Sequence, residues 1–302
     1  VRTPLLEARP VQADDRQLFF KPENLQPIGA FKLRGAYNKI ASLSEAERQR
    51  GVITYSSGNH AQGVAYAARA LGVRAVIVMP GNAPALKLEA TASLGAKLVT
   101  VGPGSAERQS KAEELAAQHG YVLVPPYNDE QIIAGQGTMG LEILEDLPSV
   151  ETVLVPVGGG GMISGIATAI KLSRPSVKVI GAEPELAADA QASLRSGKLV
   201  QLEAEQVLQT AADGLRTQSI GPINFEHMRL YVDDIVTVSE NEIGEAMRQL
   251  AVNPKTVAEP SGAVAVAAFL FHRKELPARK IHVAVISGGN VDPAMLADIR
   301  RA

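Results

Sequence analysis

Apolar positions along this chain gather in short runs, and longer amphipathic stretches lie between them. Short apolar runs at 18–21, 52–55, 75–79, 97–101, 153–157, 178–182, 235–238 and 282–286 predict strands. Apolar residues at helical spacing over 34–43, 106–119 and 164–172 predict helices. The strand runs are nearly continuous in apolar character, which suits strands buried on both faces, and strands alternate with helices almost throughout. The fold class predicted is α/β, with open, mostly parallel twisted sheets flanked by helices. The polar, charged segment 42–51 reads as a crossing between domains, and residues 51–128 hold three compact strand–helix units. Gly135-Gln136-Gly137-Thr138 reads as a helix start at a domain contact.

Composition narrows the class. The chain has 302 residues, enough for one large domain or two modest ones. A net charge of −2 with no basic block argues against a nucleic-acid partner. The apolar runs are strand-sized, so no membrane partner is expected, and no signal peptide is evident. The absence of cysteine excludes disulfides and thiolate chemistry and agrees with a cytoplasmic enzyme. With aromatics at 4% and no tryptophan, the core must rest on Ala, Val, Leu and Ile.

Three motifs carry candidate chemistry. In Gly29-Ala30-Phe31-Lys32-Leu33-Arg34-Gly35, a lysine stands at the start of a helical pattern, where backbone dipoles lower the cost of a neutral amine. A neutral lysine attacks aldehydes. Ser56-Ser57-Gly58-Asn59-His60 lies between an apolar strand and a helix, the arrangement of an anion site, although serine and asparagine there also serve as ordinary caps. Val157 runs into Gly158-Gly159-Gly160-Gly161-Met162, and four consecutive glycines make sense where backbone must wrap a phosphate. The run is too glycine-dense for the dinucleotide fingerprint.

Together with the late Ser287-Gly288-Gly289-Asn290, these motifs occur in the order seen in pyridoxal-phosphate enzymes of the tryptophan-synthase-β fold (fold type II). Within that fold the chain resembles the threonine/serine dehydratase and serine racemase branch, from Arg2-Thr3-Pro4-Leu5 to Asp292. The resemblance implies two domains, a large cofactor-binding one of residues 1–44 plus 129–302 and a small mobile one of residues 51–128. It implies that Lys32 holds pyridoxal 5′-phosphate as a Schiff base and takes the Cα proton once freed. Phe31 then packs on the ring, Asn59 bonds the 3′-oxygen, Gly158 to Gly161 with the Met162 amide cradle the phosphate, and Ser287 faces the pyridine nitrogen. Gly288 allows close backbone approach, Gly214 and Glu259 lie at the cofactor's edge, and Arg34 receives no role. Ser56, Ser57, Asn59 and His60 are donors for the substrate carboxylate, and Ser57 also matches the second base of serine racemases.

Glu183 and Asp189, with the Ala187 carbonyl, match the Mg²⁺, Ca²⁺ or Mn²⁺ site of the same branch; the alternative is acidic residues at a helix start. Tyr127 stands where serine racemases of the mammalian type have a small amide and dehydratases an aromatic, and Arg108 aligns with an arginine able to meet a second carboxylate. The lysine motif lacks the Ser-x-Lys-Asp-Arg pattern of β-replacement enzymes. The expected activity is β-elimination from L-threonine, giving 2-oxobutyrate and ammonia, and from L-serine, giving pyruvate. Serine racemase and threo-3-hydroxyaspartate dehydratase stand as alternatives, with a catalytically silent ligand-binding regulator as the rival from another class. A homo-oligomer (dimer or tetramer) and a nucleotide effector belong to the same expectation.

Overall fold

The computed structural model of the chain describes residues 1–8, 15–56, 58–83, 85–102, 104–252 and 256–301. Among the described residues ten strands are formed: β1 (Leu6–Glu7), β2 (Gln17–Pro22), β3 (Val52–Tyr55), β4 (Ala75–Pro80), β5 (Lys97–Val101), β6 (Val122–Leu123), β7 (Thr152–Pro156), β8 (Lys178–Pro184), β9 (Asp234–Val238) and β10 (Ile281–Ile286). All eight strands expected from sequence are present. The two that were not expected, β1 and β6, have two residues each, too few for any periodicity to register. Residues 1–31 with 136–302 form one compact unit and residues 32–135 another.

The first unit is built on a six-stranded sheet of order β1-β2-β10-β7-β8-β9, parallel apart from the β1–β2 pair. Alternation along the strands sends Phe20, Leu154, Ala284 and Ile286 to one face and Val153, Val155, Val283 and Val285 to the other, and each face builds its own core. The helix Pro260–Phe271 covers the first face and is buried from Pro260 to Phe269, which is why its sequence is apolar all round. On the other face, helix Glu130–Asp146 packs on helix Gly161–Ser173 through glycines. A Cβ on Gly137 would come 3.0 Å from Gly165 O, and one on Gly140 would come 2.9 Å from Ile166 O. The stretch Gly135 to Thr138 is therefore helix interior rather than the helix start expected of it: its glycines serve close packing, not a turn. Lys21 is fully buried in β2, its Nζ 2.6 Å from Glu142 Oε2 and donating to Thr3 O at 2.7 Å.

The second unit has a four-stranded parallel sheet of order β5-β4-β3-β6. Segment 42–51, expected only as a crossing, contains the helix Glu45–Arg50. Ser44 and Glu47 close a capping box at its start, which explains why so polar a segment is helical. Among the described residues, no helix is long and apolar enough to cross a membrane. In both sheets the candidate motifs follow the carboxyl ends of strands: Ser56 after β3, Gly158 after β7 and Ser287 after β10. Open parallel sheets bind ligands at those ends, because each strand there hands over to a loop and a helix N-terminus.

Candidate active site

In the first unit the predicted residues form a connected group. The Phe31 N–H donates to Ser287 O at 3.0 Å, Ala30 bridges to Gly288, and the Glu259 N–H donates to Gly288 O at 3.1 Å. Ser261 links the group further: its Oγ accepts from the Gly214 N–H at 2.9 Å, and its carbonyl accepts from Ser287 Oγ at 3.2 Å. Gly158 lies against the same turn, since a Cβ there would come 3.1 Å from Leu215 Cα. Gly160 has φ +90°, and a Cβ on it would meet Asn224 Cβ at 2.9 Å, so the position needs glycine on both counts. The helix Gly161–Ser173 begins there with no side-chain cap. The N–H groups of Gly161 and Met162 open its first turn, where no carbonyl lies one turn earlier to receive them. Backbone donors at the head of a buried helix suit a phosphate.

In the second unit Lys32 is the first residue of helix Lys32–Ala41. Its Nζ donates to Pro126 O at 2.7 Å, and withdrawal from water lowers its pKa to about 8. Arg34, given no role, is buried within the same helix. Helix Asn59–Ala70 starts from a glycine N-cap, Gly58, without a side-chain cap. The Ser56 hydroxyl instead accepts from the Gly58 N–H at 3.2 Å. Asn59 is half-buried and His60 is buried at 3% exposure, its Nε2 2.9 Å from Val124 O. Ser57 lies outside the described residues. Tyr127 and Arg108 are half-buried in this unit. Sequence reasoning did not find the Pro126 and Val124 carbonyls, and no signal was available, since every residue carries one.

Glu183, at the end of β8, is fully buried and accepts N–H bonds from Ala190 at 3.1 Å and Gln191 at 2.9 Å. Asp189 is fully buried beside it; its own N–H and that of Ile220 approach its carboxylate without closing a well-formed hydrogen bond. Burial pushes the Asp189 carboxyl up to about 7. Burial and the facing Asp189 charge raise Glu183 well above the carboxylate range. Ala187, in the turn Glu185–Ala187, is buried in the same stretch. Among the described residues, no cluster of three or more His, Cys, Asp or Glu forms a metal-binding group, so any cation here would draw on two carboxylates, backbone oxygen and water.

The family model for pyridoxal-phosphate dependent enzymes matches residues 1–288. An L-threonine ammonia-lyase of Thermotoga maritima is 49% identical over 280 residues, covering 93% of this chain and 69% of that protein. An L-threo-3-hydroxyaspartate ammonia-lyase of Saccharomyces cerevisiae is 44% identical over 294 residues, covering 96% and 88% of the two chains. The solved structure of maize serine racemase aligns with a TM-score of 0.94 at 38% identity, covering 99% of this chain and 91% of that one.

The packing around Gly262 gives a direct test. A Cβ at that position would collide with the Gly288 carbonyl oxygen, which is backbone and cannot swing aside. Gly262→Ala is expected to cost about 1–3 kcal/mol in stability. Because it displaces the Ser287-Gly288 turn, the variant is also expected to lose pyridoxal phosphate on dialysis that leaves the parent loaded. Equal retention by the two proteins would separate this turn from the cofactor.

Proposed function

The chain belongs to the pyridoxal-phosphate dependent enzyme family, and from that membership we propose that it is an ammonia-lyase converting L-threonine to 2-oxobutyrate and ammonia, and L-serine to pyruvate and ammonia. The observation that carries the proposal is Lys32: a lysine amine drawn out of water until its pKa falls to about 8, in a chain 49% identical to an L-threonine ammonia-lyase.

The residues present suit pyridoxal phosphate. Lys32 Nζ would hold it covalently, and the glycines 158–161 with the N–H groups opening helix Gly161–Ser173 would hold its phosphate. Phe31 would pack on the ring and Asn59 would bond its phenolic oxygen, with Gly214 and Glu259 at its edge. When bound, the cofactor supplies an electron sink for negative charge at the Cα of an amino acid. Ser287 would face the ring nitrogen with a neutral hydroxyl, which brings no charge to keep that nitrogen protonated and so favours loss of a β leaving group over transamination. Ser56, Asn59 and the neighbouring backbone would bind the substrate carboxylate. Once a substrate amine has displaced it from the cofactor, Lys32 would take the Cα proton as the neutral amine, and the β-hydroxyl would leave as water with one proton returned to it. The released enamine takes that water back as it hydrolyses, so the net products are 2-oxobutyrate and ammonia.

The proposal includes a divalent cation at Glu183 and Asp189. Two buried carboxylates face each other there, and the oxygens of one accept no well-formed hydrogen bond, a costly arrangement that a hard cation relieves. A second activity, serine racemisation, is supported by the likeness to maize serine racemase. It needs a proton donor on the face away from Lys32, and Ser57 is the candidate.

Assay of purified protein is expected to show 2-oxobutyrate from L-threonine, and Lys32→Ala to lose both turnover and the visible absorbance of the loaded protein. Undiminished turnover in Lys32→Ala would overturn the assignment. Chelation is expected to lower the melting temperature, with Mg²⁺, Ca²⁺ or Mn²⁺ restoring it by mass action. Asp189→Asn should abolish that response; a melting curve indifferent to chelator and metal leaves the pair as a helix-start feature. Ser57→Ala is expected to stop interconversion of L- and D-serine while keeping most L-threonine dehydration. Its remaining loss reflects one hydrogen bond to a charged group, about 1.5–3 kcal/mol. Racemisation at the parent rate would exclude Ser57 as the second base.

A further inference from the structure

His60 makes one hydrogen bond whose direction is fixed. Its Nε2 lies 2.9 Å from Val124 O, and a carbonyl only accepts, so Nε2 carries the proton. Nδ1 is buried and has no hydrogen-bond partner. A proton on it as well would place a second positive charge beside Lys32 inside the protein. Burial and Lys32 hold the ring neutral, with a pKa of about 3. The only ring N–H of His60 is therefore committed to Val124 and is not offered to a ligand.

That commitment fixes a backbone segment. Val124 O also accepts from Thr54 Oγ1 at 2.7 Å, which fills both of its lone pairs, and the Val124 N–H donates to Ile53 O at 2.9 Å. Pro125 and Pro126 follow, with φ set by their rings and no N–H to donate. A pinned residue followed by two prolines presents the next carbonyl in a fixed direction. Pro126 O is the acceptor that Lys32 Nζ meets at 2.7 Å. The other end of Lys32 is held by the same helix that carries His60. One turn on, a Cβ at Gly63 would come 3.2 Å from Lys32 C, so only glycine lets the Lys32 backbone seat there undisturbed.

We propose that Thr54, His60 and the run Val124-Pro125-Pro126 form a fixed berth for the free amine of Lys32, and that His60 is a positioning residue for that amine rather than a side-chain donor to the substrate carboxylate. A carbonyl berth engages an N–H and turns the lone pair of the neutral amine away from it, toward whatever the amine attacks. The proposal rests on Lys32 as the cofactor-bearing base, and it replaces the carboxylate role expected of the His60 side chain.

The test uses His60→Leu, which removes the donor, and His60→Gln, whose side-chain amide restores an N–H near the position of Nε2. The first readout is the rate at which cofactor-free protein develops the visible band on addition of pyridoxal phosphate, which reports the free amine without turnover. His60→Leu is expected to slow this capture and to lower kcat by about three- to tenfold, the worth of one hydrogen bond, with KM for L-threonine unchanged and His60→Gln recovering most of both. A raised KM with unchanged capture would make His60 a carboxylate donor and overturn the berth. If His60→Leu does not fold, ¹⁵N NMR of the histidine-labelled parent decides. The chain has only five histidines, and the His60 signals are those lost in His60→Gln. They should show one protonated and one bare nitrogen, unchanged between about pH 5 and 8, where a free histidine titrates. A titrating ring would overturn the proposal. Retention of the band by Lys32→Ala would instead overturn the role of Lys32 on which it rests.

Discussion

A lysine acts on an aldehyde or a Cα proton only as the neutral amine, and water strongly favours the charged form. The local structure around Lys32 shifts that balance. Desolvation brings its pKa to about 8, within reach of neutral pH, while one carbonyl, Pro126 O, keeps the amine hydrogen-bonded in either protonation state. Much of the surrounding second unit serves these two conditions. Helix Asn59–Ala70 presses on the Lys32 backbone through Gly63, β3 and β6 deliver Val124, and His60 stays uncharged beside the amine. A cationic His60 would depress Lys32 further but would itself be an unpaired buried charge, so a neutral ring fixed on a carbonyl is the cheaper solution.

In the first unit the governing constraint is how closely backbone can approach backbone. Gly158, Gly160 and Gly262 each stand where a Cβ would strike a neighbouring turn or helix. Their absence of side chains lets the loop after β7 close on the turn at Asp213–Leu215, and lets that turn and the turn after β10 meet at Ser261. Glycine loses more conformational entropy on folding than any other residue, so a run of four is costly unless the folded backbone needs the space.

Two buried charge arrangements in this unit differ in kind. Lys21 is enclosed but paired with Glu142 and a carbonyl, a satisfied ion pair that joins β2 to helix Glu130–Asp146. Glu183 and Asp189 carry the same sign; Glu183 receives two well-formed N–H bonds, whereas the Asp189 and Ile220 N–H groups only approach Asp189. The first arrangement is complete as protein; the second raises the pKa of both carboxyls and leaves acceptor oxygens unused.

Sequence by itself determined the fold class, the eight longer strands and the identity of most candidate side chains, because short apolar runs and glycine-rich turns after strands are local signals. It misjudged Gly135 to Thr138, where glycines that read as a turn serve helix packing, and it passed over the Ser44–Glu47 capping box in a segment too polar to suggest a helix. It proposed His60 as a donor, since a histidine in a polar turn has that capacity. Only the tertiary structure committed the His60 N–H to Val124 O and set Pro126 O against Lys32. Those acceptors are main-chain carbonyls brought in from more than sixty positions away, and a backbone carbonyl has no signature in the sequence. Which atoms a side chain can still offer depends on what the fold has already bonded to it.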